Sequence, residues 1–406
     1  MKTVHTSNAK RRVLLGLLLF SIGAMLVTIG VGAYLLFQSQ SRVFSPYTLL
    51  TSSWDKYRQK YIQDDGRVID FSQDNVTTSE GQSYAMLRAV WIDDRETFDK
   101  VWDWTKNNLK RQNDWLFGWR WGKRSDELYG LLPEGGENSA SDADQDIALA
   151  LILASKRWGD QKYLEHLQAI LTDLWDINTA EANGKRYMLA GNWAQSQTEY
   201  ILNPSYFSPY SWRAFAMYDT QHDWKGLIQP AYDLLNAASQ SNLNTGGTAN
   251  VPPNWVAMNR TIGDLYAPQN AQLTTDYSYD AVRVPWRIAL DYYWYQEPLA
   301  KQYLESTFSK FAQMYEQDNR LLSSYKHDGT PLTDYENSTM YATLLPAFSI
   351  IAPDVAQRVY DEKILKLYSS DEDSFLDFIP YYEQNWLWFG SALYLDQIHP
   401  IGLGGT

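Results

Sequence analysis

Three aspartates stand two residues apart in SASDADQDIALALILASKRW, residues 139–158, and an apolar, helix-forming segment follows at once. Asp142, Asp144 and Asp146 therefore mark the start of a helix, where the dipole stabilises negative charge and Ser139 or Ser141 can cap a helix beginning near Asp144. Three alternating aspartates exceed what a cap requires. A calcium loop uses this spacing at its positions 1, 3 and 5, but its position 6, normally glycine, is Ile147, and its position 12, normally glutamate, is Leu153. The sequence has no cysteine, and its five histidines share no ligand spacing, so no transition-metal site is expected.

Two more stretches are built the same way. In TTSEGQSYAMLRAVWIDD, residues 77–94, Thr78 or Ser79 offers a cap, Glu80 and Gly81 follow, and an apolar-periodic helix runs on. In TTDYSYDAVRVPWRIALDYYWY, residues 274–295, Asp280 precedes a helical run, with Tyr279 beside it and Arg283 one turn on. Each carboxylate alone reads as an ordinary first-turn acid or an ion-pair partner. Arg283 orients Asp280, hydrogen-bonds a substrate, or is simply an exposed helical arginine; the sequence leaves these open. In a domain of paired helices, such starts can converge at one end.

The elements that must position these groups are helical. Phe98, Val101, Trp102, Thr105 and Leu109 fall at helix spacing, as do Ile147, Leu151, Ala154 and Trp158, and again Leu164, Leu167, Leu171 and Leu174. Between them lie long loops rich in Gly, Asn, Pro and aromatics, at 111–140 and 240–255, of the kind that carries function. Strand-like runs do not alternate with the helices and no short repeat is visible, which favours an all-α fold over an α/β one.

Residues 13–37, VLLGLLLFSIGAMLVTIGVGAYLLF, are uncharged and mostly apolar, long enough to span a hydrocarbon core of about 30 Å as one transmembrane helix. Lys10, Arg11 and Arg12 precede it, so residues 1–12 are expected in the cytoplasm and the remainder outside the cell. The run exceeds a usual signal-peptide core and no small-x-small site follows it directly, so an uncleaved anchor is expected, followed by a polar tether at 38–45 and one domain over 46–400. With 35 basic and 48 acidic residues the net charge is −13, which repels nucleic acid.

Together the three carboxylate stretches resemble glycoside hydrolase family 8. Ala140 to Trp158 fits the family signature throughout. The SEG of residues 79–81 followed by YAML, NPSYFSP at 203–209, YDAVRVPWR at 279–287 and YYEQNWLWFG at 381–390 follow in the family's order, so the likeness covers roughly residues 70–395. It implies an (α/α)6 barrel with a cleft across one end and an inverting, endo-acting hydrolase of β-linked glycans. A monomer without cofactor is expected.

The resemblance assigns Glu80 as the acid, Asp280 as the base and Asp142 as the residue that binds and distorts the sugar at the point of cleavage. Substrate contacts are expected from Asp144, Tyr279, Arg283 and Tyr381, and from Trp115, Trp119, Trp121 and Tyr206, loop aromatics on which sugar C–H faces can pack. A helix N-terminus favours ionised Glu80 where catalysis needs the proton, and a neighbouring negative charge, that of Asp142, would counter this. The expected substrate is β-1,4-glucan, with mixed-linkage glucan, xylan, chitosan and a self-made exopolysaccharide as alternatives. An anchored enzyme would trim a polysaccharide that the cell exports, beside a membrane glycan synthase. A glycan receptor without catalysis is the alternative of another class, but it has no reason to keep all three carboxylates.

Overall fold

The computed structural model describes residues 46–244, 246–369 and 371–404. Leu49–Thr406 forms one compact unit. The expected membrane helix at 13–37 and tether at 38–45 lie outside the described residues. Among the described residues no helix is long and apolar enough to cross a membrane.

Twelve helices dominate the described chain: α1 (Pro46–Tyr61), α2 (Ser79–Ile92), α3 (Arg95–Asn108), α4 (Ser141–Trp158), α5 (Leu167–Asn178), α6 (Pro209–Phe215), α7 (Ile228–Gln240), α8 (Val284–Tyr295), α9 (Pro298–Asp318), α10 (Ser338–Ile351), α11 (Pro353–Val359) and α12 (Tyr381–Tyr394). Two kinds alternate. Helix α4 is buried from Ser141 to Ser155 on every side, whereas α3 buries only a stripe containing Phe98, Val101, Trp102 and Thr105. A helix buried all round belongs inside, and an amphipathic one belongs on the rim.

The even-numbered helices pack in sequence, α2 on α4, then α6, α8, α10 and α12. Arg88 of α2 closes the ring by donating to Asn385 of α12 at 2.9 Å, and Tyr84 meets Trp386 edge-on. The odd-numbered helices form the outer layer: α3 lies against α2, α5 against α4, and α9 against both α8 and α10. This is the expected double ring of six and six.

The all-α expectation misses small β-ribbons in the loops. One is a three-stranded antiparallel sheet of β1 (Thr77–Thr78), β2 (Arg120–Lys123) and β3 (Tyr129–Leu131), with Thr77 opposite Trp121 and Thr78 opposite Arg120. Strands of two to four residues are too short to leave an alternating apolar pattern in the sequence. Their role is positional, because β2 ties the 109–140 loop to the first turn of α2.

Candidate active site

Glu80 is the second residue of α2, Asp142 the second of α4, and Asp280 stands just ahead of the 3-10 turn Ala281–Arg283 that leads into α8. All three meet one guanidinium. Arg283 Nη1 donates to Glu80 Oε2 at 2.5 Å and to Asp142 Oδ2 at 3.1 Å, while Nη2 donates to Asp280 Oδ1 at 2.6 Å. Arg283 is 2% exposed, so it is the buried hub of the cluster and not an exposed helical arginine. Asp142 is equally buried, whereas the side chains of Glu80 and Asp280 remain 25% and 28% accessible. Those two face a cleft of about 410 Å3 that also reaches Asp70, Thr78, Tyr279 and Tyr381. Past Tyr279, Pro380 and Glu383 the cleft opens into a further space of about 560 Å3 beside Tyr335 and Phe378.

The first turn of α2 shows how the sequence places the acid. Thr78 Oγ1 caps Gly81 N at 3.0 Å, as the capping pattern predicts. A Cβ on Gly81 would stand 1.8 Å from the Tyr381 hydroxyl, so this position must be glycine for α12 to close against it. Tyr381 is itself buried and packed on Tyr57 and Tyr61, at the cleft wall.

Burial pushes the Glu80 carboxyl up to about 7, with the negative charges of Asp142 and Asp280 adding to the rise and Arg283 opposing it. The helix dipole is thus overcome mainly by desolvation, and the expected push from Asp142 is present but secondary. Asp280 is also raised by burial, but Arg283 and a 3.0 Å hydrogen bond from Asn203 Nδ2 favour its ionised form. The pair offers one carboxyl that holds a proton near neutrality and another furnished with donors for its anion.

The aspartate triplet divides into three separate tasks. At about 100° per residue, Asp142 and Asp146 share a helix face and Asp144 points almost oppositely. Asp146 lies one turn below Asp142 and pairs with Arg287, one turn beyond Arg283, at 3.0 and 2.8 Å. Asp144, expected to bind substrate, instead accepts from Phe117 N at 2.9 Å and from Asn178 Nδ2 at 3.4 Å while fully buried. It fastens a loop. Nor do the serines cap α4: Ala140 is the cap position, Ser141 Oγ donates to Leu189 O, and Ser139 Oγ bonds Asn178 and Asn192.

The expected aromatic platforms also separate. Tyr206 lies 5.3 Å from the Arg283 guanidinium, and Tyr279 is 52% exposed on the cleft wall. Trp119 is exposed, its carbonyl accepts from Ser79 N beside Glu80 in the chain, and its indole N–H donates to Gly135 O at 2.9 Å. Trp115 does not reach the cleft; its ring stacks on His166 at 4.1 Å and its backbone N–H donates to Asp173. Trp121 lies across the sheet from Thr78, since it opposes Thr77, and it packs against Trp104, Tyr129 and Arg67.

Sequence reasoning missed Asn203, although it opens the quoted NPSYFSP, and it missed Trp255 and Trp193. Tyr206, Trp255 and the partly exposed Trp193 form a line of rings, with centroids 5.8 and 5.9 Å apart, leading away from Arg283. Trp255 sits in the 240–255 loop already flagged by composition, but nothing in sequence brings that loop to residue 193.

The profile of Glycosyl hydrolases family 8 matches residues 27–373. The chain belongs to this family. An endoglucanase of Cellulomonas uda is 32% identical over 241 residues, 59% of this chain and 63% of that protein. Endoglucanase A of Acetivibrio thermocellus is 27% identical over 328 residues, 78% of this chain and 64% of that protein. The chain thus spans a little under two thirds of the length of these two relatives. A family 8 endoglucanase from Klebsiella pneumoniae, solved by crystallography, superposes with a TM-score of 0.68 at 26% identity, covering 85% of this chain and 99% of that one.

Proposed function

We propose that this family 8 member is an inverting endo-hydrolase of β-1,4-glucan, with Glu80 as acid, Asp280 as base and Asp142 as a sugar-binding group. The observation that carries this is the set of three carboxylates on one buried arginine at the floor of an open cleft, with Glu80 protonated up to about pH 7. Glu80 gives its proton to the glycosidic oxygen as the bond from that oxygen to the anomeric carbon breaks. Asp280 accepts a proton from the water whose oxygen bonds that carbon from the opposite face. Asp142 Oδ1 is buried without a hydrogen bond among the described residues, and a sugar hydroxyl would satisfy it. The line Tyr206, Trp255, Trp193 gives successive rings a surface to pack on.

Support for β-1,4-glucan over other β-glycans comes from the relatives, which carry the name endoglucanase. Residues 13–37 would hold the enzyme at the outer face of a membrane, beside a synthase whose product it trims; the support is that uncharged run with Lys10, Arg11 and Arg12 ahead of it. Glu80→Gln and Asp280→Asn should each fold and lose reducing-end release from soluble β-1,4-glucan by several orders of magnitude. Near-native activity of either variant overturns the assignment. Proton NMR of fresh product should show the α-anomer first, and a β-anomer refutes inversion.

A further inference from the structure

Trp121, on the far side of the sheet from Thr78, is part of a second concave site that the hydrolytic cleft does not use. The space measures about 550 Å3 and is lined by Gln63, Arg67, Trp104, Asn107, Trp121 and Tyr129, with Asp65 and Asp103 at its edge. That volume lies within the range of small-ligand sites, about 300–1,000 Å3. Trp121 and Tyr129 stack at 5.3 Å with 26° between their planes, and Trp104 closes edge-on against Trp121 at 5.1 Å. Tyr129 is 58% exposed, so the outer ring of the stack is open to a ligand.

We propose that this pocket is an auxiliary binding site for a neutral β-linked glucan chain, separate from the cleft that cuts it. Its chemistry suits a sugar for three reasons. An open aromatic face packs against the C–H face of a pyranose ring. The amides of Gln63 and Asn107 present donors and acceptors side by side, as a hydroxyl-rich ligand requires. Its charge is wrong for an anion: among the described residues Arg67 is the only cation lining it, and that guanidinium is already committed to Thr77 Oγ1 at 2.9 Å and Asn75 O at 2.5 Å, while Asp65 and Asp103 add negative charge. The same sheet carries Thr78 on its cleft side, so a chain held here stays beside the enzyme without passing between Glu80 and Asp280.

The choice of glucan as ligand rests on the proposed function, and the test keeps the two apart. Retention of the full-length chain on insoluble β-1,4-glucan is measured in a Glu80→Gln background, where nothing is cut, and hydrolysis of soluble cellopentaose is measured with Glu80 intact. Tyr129→Ala should lower retention roughly five- to tenfold, the scale of one lost ring contact. Asn107→Ala, an exposed helix position, should lower it as well, and Tyr129→Phe should keep it. Tyr129→Ala with Glu80 intact should cleave cellopentaose within about twofold of the native rate. Unchanged retention in both alanine variants overturns the site. So does a parallel loss of cellopentaose cleavage, which would make Tyr129 part of the cleft. If the native chain retains glucan through Tyr129 but never cleaves cellopentaose, the auxiliary site stands and the hydrolase reading falls.

Discussion

Asp142→Asn tests whether the acid is tuned by its neighbours. Glu80 Oε2 and Asp142 Oδ2 lie 2.5 and 3.1 Å from the same nitrogen of Arg283, so the two carboxylate charges are held about 5 Å apart. At an effective dielectric of about 20, two unit charges at that distance repel by about 3 kcal/mol. Glu80 is a quarter exposed, and water there screens part of this; about 1.4 kcal/mol, or one pH unit, is the change expected in its titration. Removing the negative charge favours ionised Glu80, and the freed Nη1 of Arg283 acts in the same direction. Because the acid must be protonated to work, the alkaline limb of kcat/KM should move from about 7 toward about 6. The Asp142→Asn change also weakens sugar binding at every pH, so the readout is the position of the limb and not its height. Relative to its own plateau the variant should lose roughly eightfold more activity than the native enzyme at pH 7.5 and almost none at pH 5. A limb that stays in place, or moves to higher pH, refutes the coupling to Asp142 and leaves burial and the Asp280 charge as the causes of the rise.

Glu80→Gln should raise Tm at pH 8 but not at pH 4. The folded-state titration of Glu80 near 7 lies above its unfolded value near 4.5, so the destabilisation by its charge is absent below about 4.5, grows through that window and is complete above about 7. Thermal unfolding across pH 4–8 checks the sign, and an equal Tm difference at both ends contradicts it. Asp144→Ala should leave KM nearly unchanged while lowering stability by about 1–3 kcal/mol, because Phe117 N and Asn178 lose a buried acceptor; a KM defect at native stability would return Asp144 to the substrate. Trp193→Ala should raise KM for long oligosaccharides more than for short ones, measured by comparing cellohexaose with cellotriose, if the line of rings from Tyr206 receives the chain.

Local pattern in the sequence was enough to place Glu80, Asp142 and Asp280 at helix starts, because capping residues, first-turn acids and 3.6-residue periodicity are short-range signals. The double ring was implied by the likeness to glycoside hydrolase family 8 and not by periodicity, although the helical spacing itself was equally legible. What the three carboxylates share was not. Arg283 lies 203 residues from Glu80 and 141 from Asp142, and whether it was hub or surface charge depended on six helices closing so that their N-termini meet. The separation of the aspartate triplet was implicit in the 100° step of a helix, yet which face met Arg283 and which met the Phe117 loop was settled by packing. Trp121 and Trp119 look alike in sequence, two residues apart in a loop rich in rings. A four-residue strand too short to show any periodicity put Trp121 opposite Thr77, on the side of the sheet away from Glu80. Local preference is written along the chain, but the charge of a buried acid and the side on which a ring lies depend on atoms brought from distant segments.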